Sequence, residues 1–173
     1  MISIAQKVQG NPRQLLKRMR DVMAAKGSVS HRLNLIVQLI AKELHADICA
    51  LYLLRPNQYL ELYAIQGEEF EKVRQRKLIV GQGLIGSIAS SALPLALNNT
   101  QHDYLLNGID SSDNMQSFMG VPILRDGEVI GVISVQSKSN RSYIDDELET
   151  LEIIATVFAE LIAGGQLISN TAP

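Results

Sequence analysis

Gly81, Gly83 and Gly86 follow the apolar triplet Leu78-Ile79-Val80 in a Gly-x-Gly-x-x-Gly spacing, at the head of a short helical run ending near Ser90. Such glycines suit phosphate binding: the turn is tight, the backbone can approach closely, and a helix N-terminus offers unpaired N–H groups. A dinucleotide site also needs a parallel strand after the helix, ending in an acidic residue for the ribose. Here the next strand runs from Pro94 to Leu97 and ends in Asn98-Asn99, so the glycines are expected to serve the turn and not a nicotinamide cofactor. Cys49 is the only cysteine, which excludes an internal disulfide and any zinc site built on cysteine pairs. Its place inside an apolar run makes it an inert core residue. No catalytic set, metal site or cofactor is expected. The other segment suited to chemistry is Asn98 to Ser117, a long polar stretch with Gly108, Asp110, Ser111, Ser112 and Asp113. Irregular segments of that length inside a compact domain are usually functional or mobile.

The elements that must position these residues are legible from periodicity. Pro12 suits a first helical turn, and Leu15, Leu16, Met19, Val22 and Met23 recur on one face up to Gly27. Ser28 or Ser30 caps a second helix with a stripe of Leu33, Ile36, Val37, Ile40, Ala41 and Leu44. Asp47 to Arg55 is a nearly continuous apolar run, as in a strand covered on both faces, and Tyr59 to Gln66 is its antiparallel partner across Pro56-Asn57. Gly67 to Lys77 is a charged connection or short helix. Phe118 to Leu124 and Val129 to Gln136 form a second hairpin around Asp126-Gly127. Gly120 and Pro122 are awkward in mid-strand and suggest a bend or an edge with free backbone groups. Gly131 lets a neighbouring element come close. Asp145 to Gly164 is a long helix with Leu148, Leu151, Ala155, Phe158 and Ile162 inward. Its acidic start suits the helix macrodipole, although Ile144 has no side-chain oxygen for a cap.

The predicted fold is α+β: an antiparallel sheet with terminal helices on one face and a small helical insertion over a pocket on the other. A chain of 173 residues, 46% hydrophobic, supports one such domain but not two ordinary ones. Residues 1–27 form a basic amphipathic helix, 28–165 the domain, and 166–173 a tail or linker. Sixteen Lys plus Arg against eighteen Asp plus Glu give a net charge of −2, which creates no global field for nucleic acid. No segment reads as a signal peptide or membrane span, so a cytoplasmic protein is expected. Charge is uneven along the chain, basic from Lys7 to Arg32 and acidic from Asp145 to Glu160 beside Arg141. Either both are solvated helix faces, or the terminal helices lie side by side within a protomer or across a dimer.

Four strings, Ala46-Asp47-Ile48-Cys49-Ala50-Leu51-Tyr52-Leu53-Leu54, Gly81-Gln82-Gly83-Leu84-Ile85-Gly86, Ser117-Phe118-Met119-Gly120-Val121-Pro122-Ile123-Leu124 and Val129-Ile130-Gly131-Val132-Ile133-Ser134-Val135-Gln136, resemble the GAF family in order and spacing. The sheet and its pocket are accordingly expected to be GAF/PAS-like. Within that family the chain is most similar to the N-terminal sensor of the nitrogen-related enzyme I, a phosphoenolpyruvate–protein phosphotransferase. That resemblance implies a domain that binds a small metabolite, glutamine or a related amino acid, and controls autophosphorylation of an attached catalytic region beyond residue 173. His31, His45 and His102 lie outside any Gly-rich phosphohistidine context, so the chain alone is expected not to be an enzyme. Methionine sulfoxide reduction and bilin attachment, known in other GAF proteins, need thiols that one core cysteine does not supply. Asn140-Arg141, Tyr143 and Asp146-Glu147 imitate a cyclic-nucleotide constellation with altered residues and spacing, and are read as a structural echo.

The implied ligand site lies between the helix that begins near Gly83 and Leu84, the Asn98 to Ser117 insertion, and the sheet at Ser117 and Phe118. Backbone N–H groups at the helix start suit a ligand carboxylate. Asn98, Asn99, Asp103 and Tyr104 would be polar anchors, with Asp103 facing an α-ammonium group. The competing expectation is a dimerisation or scaffold module with a vestigial pocket, because the apolar faces of the terminal helices exceed what one small sheet requires. A homodimer through those helices is compatible with both.

Overall fold

Asn11 opens the first helix by accepting a hydrogen bond from the Gln14 N–H at 3.0 Å, and Pro12 occupies the turn where its missing N–H is not needed. The computed structural model describes residues 11–98, 115–165 and 167. Helix α1 (Pro12–Ala24) ends before Gly27, because Arg32 reaches back to the Ala25 carbonyl at 2.7 Å and satisfies the helix end early. Ser28, not Ser30, caps α2 (Val29–Glu43), its hydroxyl accepting from the His31 N–H at 3.1 Å.

Strands β1 (Ile48–Arg55) and β2 (Tyr59–Gln66) form the first hairpin, and β5 (Ser117–Arg125) and β6 (Glu128–Ser137) the second. Asp126 and Gly127 both take positive φ, 52° and 79°, the two-residue turn that matches strand twist. With β3 (Leu78–Ile79) and β4 (Leu95–Asn98) they make one sheet in the order β3-β2-β1-β6-β5-β4, antiparallel throughout. The hairpins join through β1 and β6, so β1 is interior, as its unbroken apolar run requires. β4 reaches β5 only from Ser117 to Gly120, which leaves Pro122 where β5 has no outer neighbour among the described residues.

Period-2 alternation separates two apolar layers. Cys49, Leu51, Leu53, Met119, Val121, Ile133 and Val135 pack against α1, α2 and the last helix, α5 (Asp145–Gly164), through Leu15, Ile36, Ile40, Leu151, Phe158 and others. Ala50, Tyr52, Leu62, Phe118 and Val132 face the opposite way. They meet α3 (Phe70–Arg74) through Val73 and α4 (Gly83–Ser91) through Leu84, Ile85 and Ile88. The terminal helices thus share one sheet face and the short helices the other.

The basic and acidic helices do lie side by side within the protomer: Arg13 and Leu16 of α1 line one groove with Asp146, Glu149 and Ile153 of α5. Two members of the charged group are not solvated, however. Arg141 and Glu147 are both buried and paired, and Glu147 also accepts the Ile144 N–H at 3.1 Å, supplying the cap that Ile144 lacks.

Candidate functional site

The sheet face turned away from the terminal helices carries the features suited to a ligand. Across its centre, Ala50, Ser134 and Gly120 stand opposite one another on β1, β6 and β5, and the next row is Ile48, Gln136 and Phe118. The first row is small and the second mixes apolar and amide groups. Ile88 and the Phe118 ring fill the space above Gly120, since a Cβ there would lie 2.6 and 2.9 Å from them. Ser134 is completely buried, and among the described residues its hydroxyl has no hydrogen-bond partner. A buried hydroxyl without a partner costs about 1–3 kcal/mol, so the position is costly unless something supplies one.

Beside this row a cleft of about 20 Å³ runs between the sheet and the α3 segment, lined by Ile48, Tyr52, Ile65, Glu68, Val73, Arg76, Leu78 and Gln136. That volume suits a single water. Glu68 and Arg76 flank α3 and are half-buried, and among the described residues neither side chain makes an ion pair or a hydrogen bond. The cleft therefore carries a carboxylate and a guanidinium that the fold itself does not use.

Gly81 and Gly83 turn the chain into α4 at φ of 90° and 68°, conformations that L side chains rarely adopt. Gly86 brings α4 against β3, and a Cβ there would stand 2.3 Å from the Ile79 carbonyl oxygen. Gln82 precedes the helix without a side-chain cap, so its side chain does not take the first N–H groups of α4.

Of the residues expected at the site, Gly83 and Leu84 open α4. The Leu84 side chain is buried in the same apolar layer as Phe118, leaving only its backbone for a ligand. Asn98 ends β4 opposite Ser117. Asn99, Asp103 and Tyr104 lie outside the described residues. The Ser117 hydroxyl turns to the other side: it sits 2.7 Å from the Ser139 carbonyl and 3.0 Å from the Arg141 carbonyl, and accepts the Arg141 N–H at 2.8 Å. The structure thus brings Leu84 and Phe118 into one apolar layer, with Gly83 preceding Leu84 at the start of α4, and directs Ser117 elsewhere. Glu68, Arg76, Ser134 and Gln136 were missed. A signal existed for the last two, because polar residues two apart in an otherwise apolar strand point to one face.

No catalytic group emerges from these contacts. Cys49 faces the terminal helices, and burial pushes its thiol far above the ordinary range, away from the reactive thiolate. Among the described residues no group of three His, Cys, Asp or Glu side chains could hold a metal, and no described helix is long and apolar enough to cross a membrane. A second concavity of about 610 Å³, the groove between α1 and α5, is open and shallow.

An antiparallel sheet with terminal helices on one face and short helices on the other defines a layered α+β domain. The GAF domain profile matches residues 28–162, and the chain belongs to the GAF domain family. The fold is similar to that of the GAF domain of an Acinetobacter phosphoenolpyruvate-protein phosphotransferase, at 24% identity and a TM-score of 0.80, covering 92% of this chain and 96% of that one. The corresponding Coxiella burnetii domain gives the same identity and TM-score, covering 91% and 97%. A free methionine-R-sulfoxide reductase from Neisseria meningitidis shares the fold at 17% identity and a TM-score of 0.78, covering 90% of each chain. In sequence, the chain is 22% identical over 148 residues to a Nif-specific regulatory protein of Herbaspirillum seropedicae, covering 82% of this chain. It spans about a quarter of the length of the curated relatives it matches, 27% of that protein and 24% of the Azospirillum brasilense one. GAF domains are generally regulatory and not catalytic.

Proposed function

We propose that this domain is a small-molecule sensor that binds a metabolite on the sheet face bearing Ser134 and Gln136 and controls an attached phosphoenolpyruvate–protein phosphotransferase region. The observation that carries the reading is the Ser134 hydroxyl, wholly buried and unpartnered on a face with no catalytic group. A ligand on this face would supply the missing hydrogen bond. The likeness to phosphotransferase GAF domains and to Nif-specific regulatory proteins favours a parent enzyme in nitrogen regulation, acting in the cytoplasm, with residues 28–165 as the domain and 166–173 leading onward. A glutamine-like amino acid is the proposed ligand, held partly by the first N–H groups of α4 at Gly83 and Leu84. Asn98, Asn99, Asp103 and Tyr104 are its proposed polar anchors.

A thermal-shift screen of amino acids, nucleotides and organic acids tests the reading. A ligand at 100 times its dissociation constant stabilises by about 2.7 kcal/mol. Silence across all three classes would end the sensor proposal.

A second reading, a dimerisation module, is favoured by the exposed Met23 and Ile153 on the terminal helices, 37% and 45% accessible. We propose that these helices pair in a homodimer whether or not a ligand binds. Light scattering of the purified chain checks this, and a monomer at tens of micromolar would refute it.

A further inference from the structure

We infer that Glu68 and Arg76, the two charges flanking α3, recognise the ligand, and that the ligand is a small zwitterion with an anionic and a cationic group on one short skeleton. The inference rests on the sensor reading, but it moves the charge recognition from the α4 side of the face to the α3 side. Its ground is a mismatch. Opposite charges lining one cleft ordinarily neutralise each other, yet the Glu68 and Arg76 side chains share the cleft without an ion pair, and among the described residues neither side chain has a hydrogen-bond partner. A compound with a carboxylate for the Arg76 guanidinium and an ammonium for the Glu68 carboxylate would satisfy both at once. A ligand with one charge would leave the other group half-buried and unmatched. Gln136, mostly buried on the sheet beneath, lines the same cleft.

Access follows from how α3 is held. The helix has five residues, its N-cap Glu69 makes no side-chain hydrogen bond, and Val73 is its one buried residue. A segment so lightly anchored opens at low free energy compared with the sheet. Because the cleft admits about one water as it stands, a zwitterion of several heavy atoms enters by outward displacement of α3 and is then held by the charges the segment carries.

Isothermal titration and thermal shift of the full chain test this with the common L-amino acids, γ-aminobutyrate and glycine betaine as zwitterions. Matched compounds lacking the ammonium or the carboxylate, together with nucleotides and sugars, serve as comparisons. The expected result is that at least one zwitterion binds, and that its singly charged analogues bind about ten- to a hundredfold more weakly, the range a lost charge-assisted hydrogen bond gives. Arg76→Gln and Glu68→Gln should each weaken the zwitterion by a similar factor. Both should melt with the wild type in its absence, since neither side chain has a partner to lose. Binding that both variants leave unchanged would overturn the inference while the sensor reading stands. So would binding of a nucleotide, a sugar or a singly charged acid in preference to every zwitterion. If no compound binds, both readings fall together.

Discussion

The Glu147 carboxylate meets the Arg141 guanidinium at 2.5 Å, with side-chain exposures of 0% and 4%. Arg141 also donates to the Leu44 carbonyl at the end of α2 and lies over the Tyr143 ring, 4.4 Å from its centroid. Its backbone is tied to the Ser117 hydroxyl, next to Phe118 on the ligand face. One ion pair therefore joins the start of β5, the end of α2 and the start of α5. It is a physical connection between the candidate site and α5.

Removing one partner leaves the other charged and buried, which typically costs about 3–5 kcal/mol. Glu147→Ala should therefore destabilise the domain by about that much in urea unfolding. Replacing both, as in Arg141→Met with Glu147→Leu, should recover most of the loss. Simple addition of the two single effects would show that the pair is not coupled.

Burial raises Tyr143 to about 12, partly countered by its 2.9 Å hydrogen bond with Ser137 and by the Arg141 charge. In the unfolded chain the phenol ionises near 10, whereas in the folded domain it stays neutral until about 12. The stabilisation is thus fully present below pH 10 and is lost as pH rises towards 12, roughly 2–3 kcal/mol in all. Ultraviolet titration should show Tyr143 ionising late, and Tyr143→Phe should remove its share of the late signal.

Gly86→Ala would place a Cβ against the Ile79 backbone oxygen, which no side-chain rotation can relieve. A loss of about 1–3 kcal/mol is expected, with weakened ligand binding, because α4 must move off β3. Equal stability of the variant would refute the close approach.

Ser134→Ala deletes a buried hydroxyl that has no partner, so without ligand it should leave the melting temperature unchanged or raise it, by up to about 1 kcal/mol in stability. Ligand affinity should fall in the same variant. Clear destabilisation of the ligand-free protein would mean that the hydroxyl already has a partner.

Cys49 should resist thiol reagents in the native state and react once the domain is unfolded, because burial holds it as the neutral thiol. Fast native labelling would contradict its place in the core.

Local chemistry made much of the architecture legible. Pro12, Ser28, Asp126-Gly127 and the Gly81 to Gly86 turn act within a few residues of themselves, and the apolar periods of α2 and α5 are equally local. The site was less legible. Phe118 and Leu84 meet on one face, but the same pattern that placed Phe118 there turns Ser117 to Arg141, since adjacent strand residues point to opposite faces. Glu68 and Arg76 looked like ordinary charges in a polar connection, because Ile48 and Gln136, which line the cleft with them, are far away along the chain.

By itself the sequence determined the elements, both hairpins, an interior β1, an inert cysteine and the resemblance to GAF domains, because each depends on neighbours along the chain or on a spacing. Only the tertiary structure decided that β1 pairs with β6, that Arg141 and Glu147 are buried together, and that a carboxylate and a guanidinium share a cleft unpaired. Those relationships join residues whose separation along the chain carries no information about their separation in space, and burial, which sets the energy of a charge, exists only once the layers have closed.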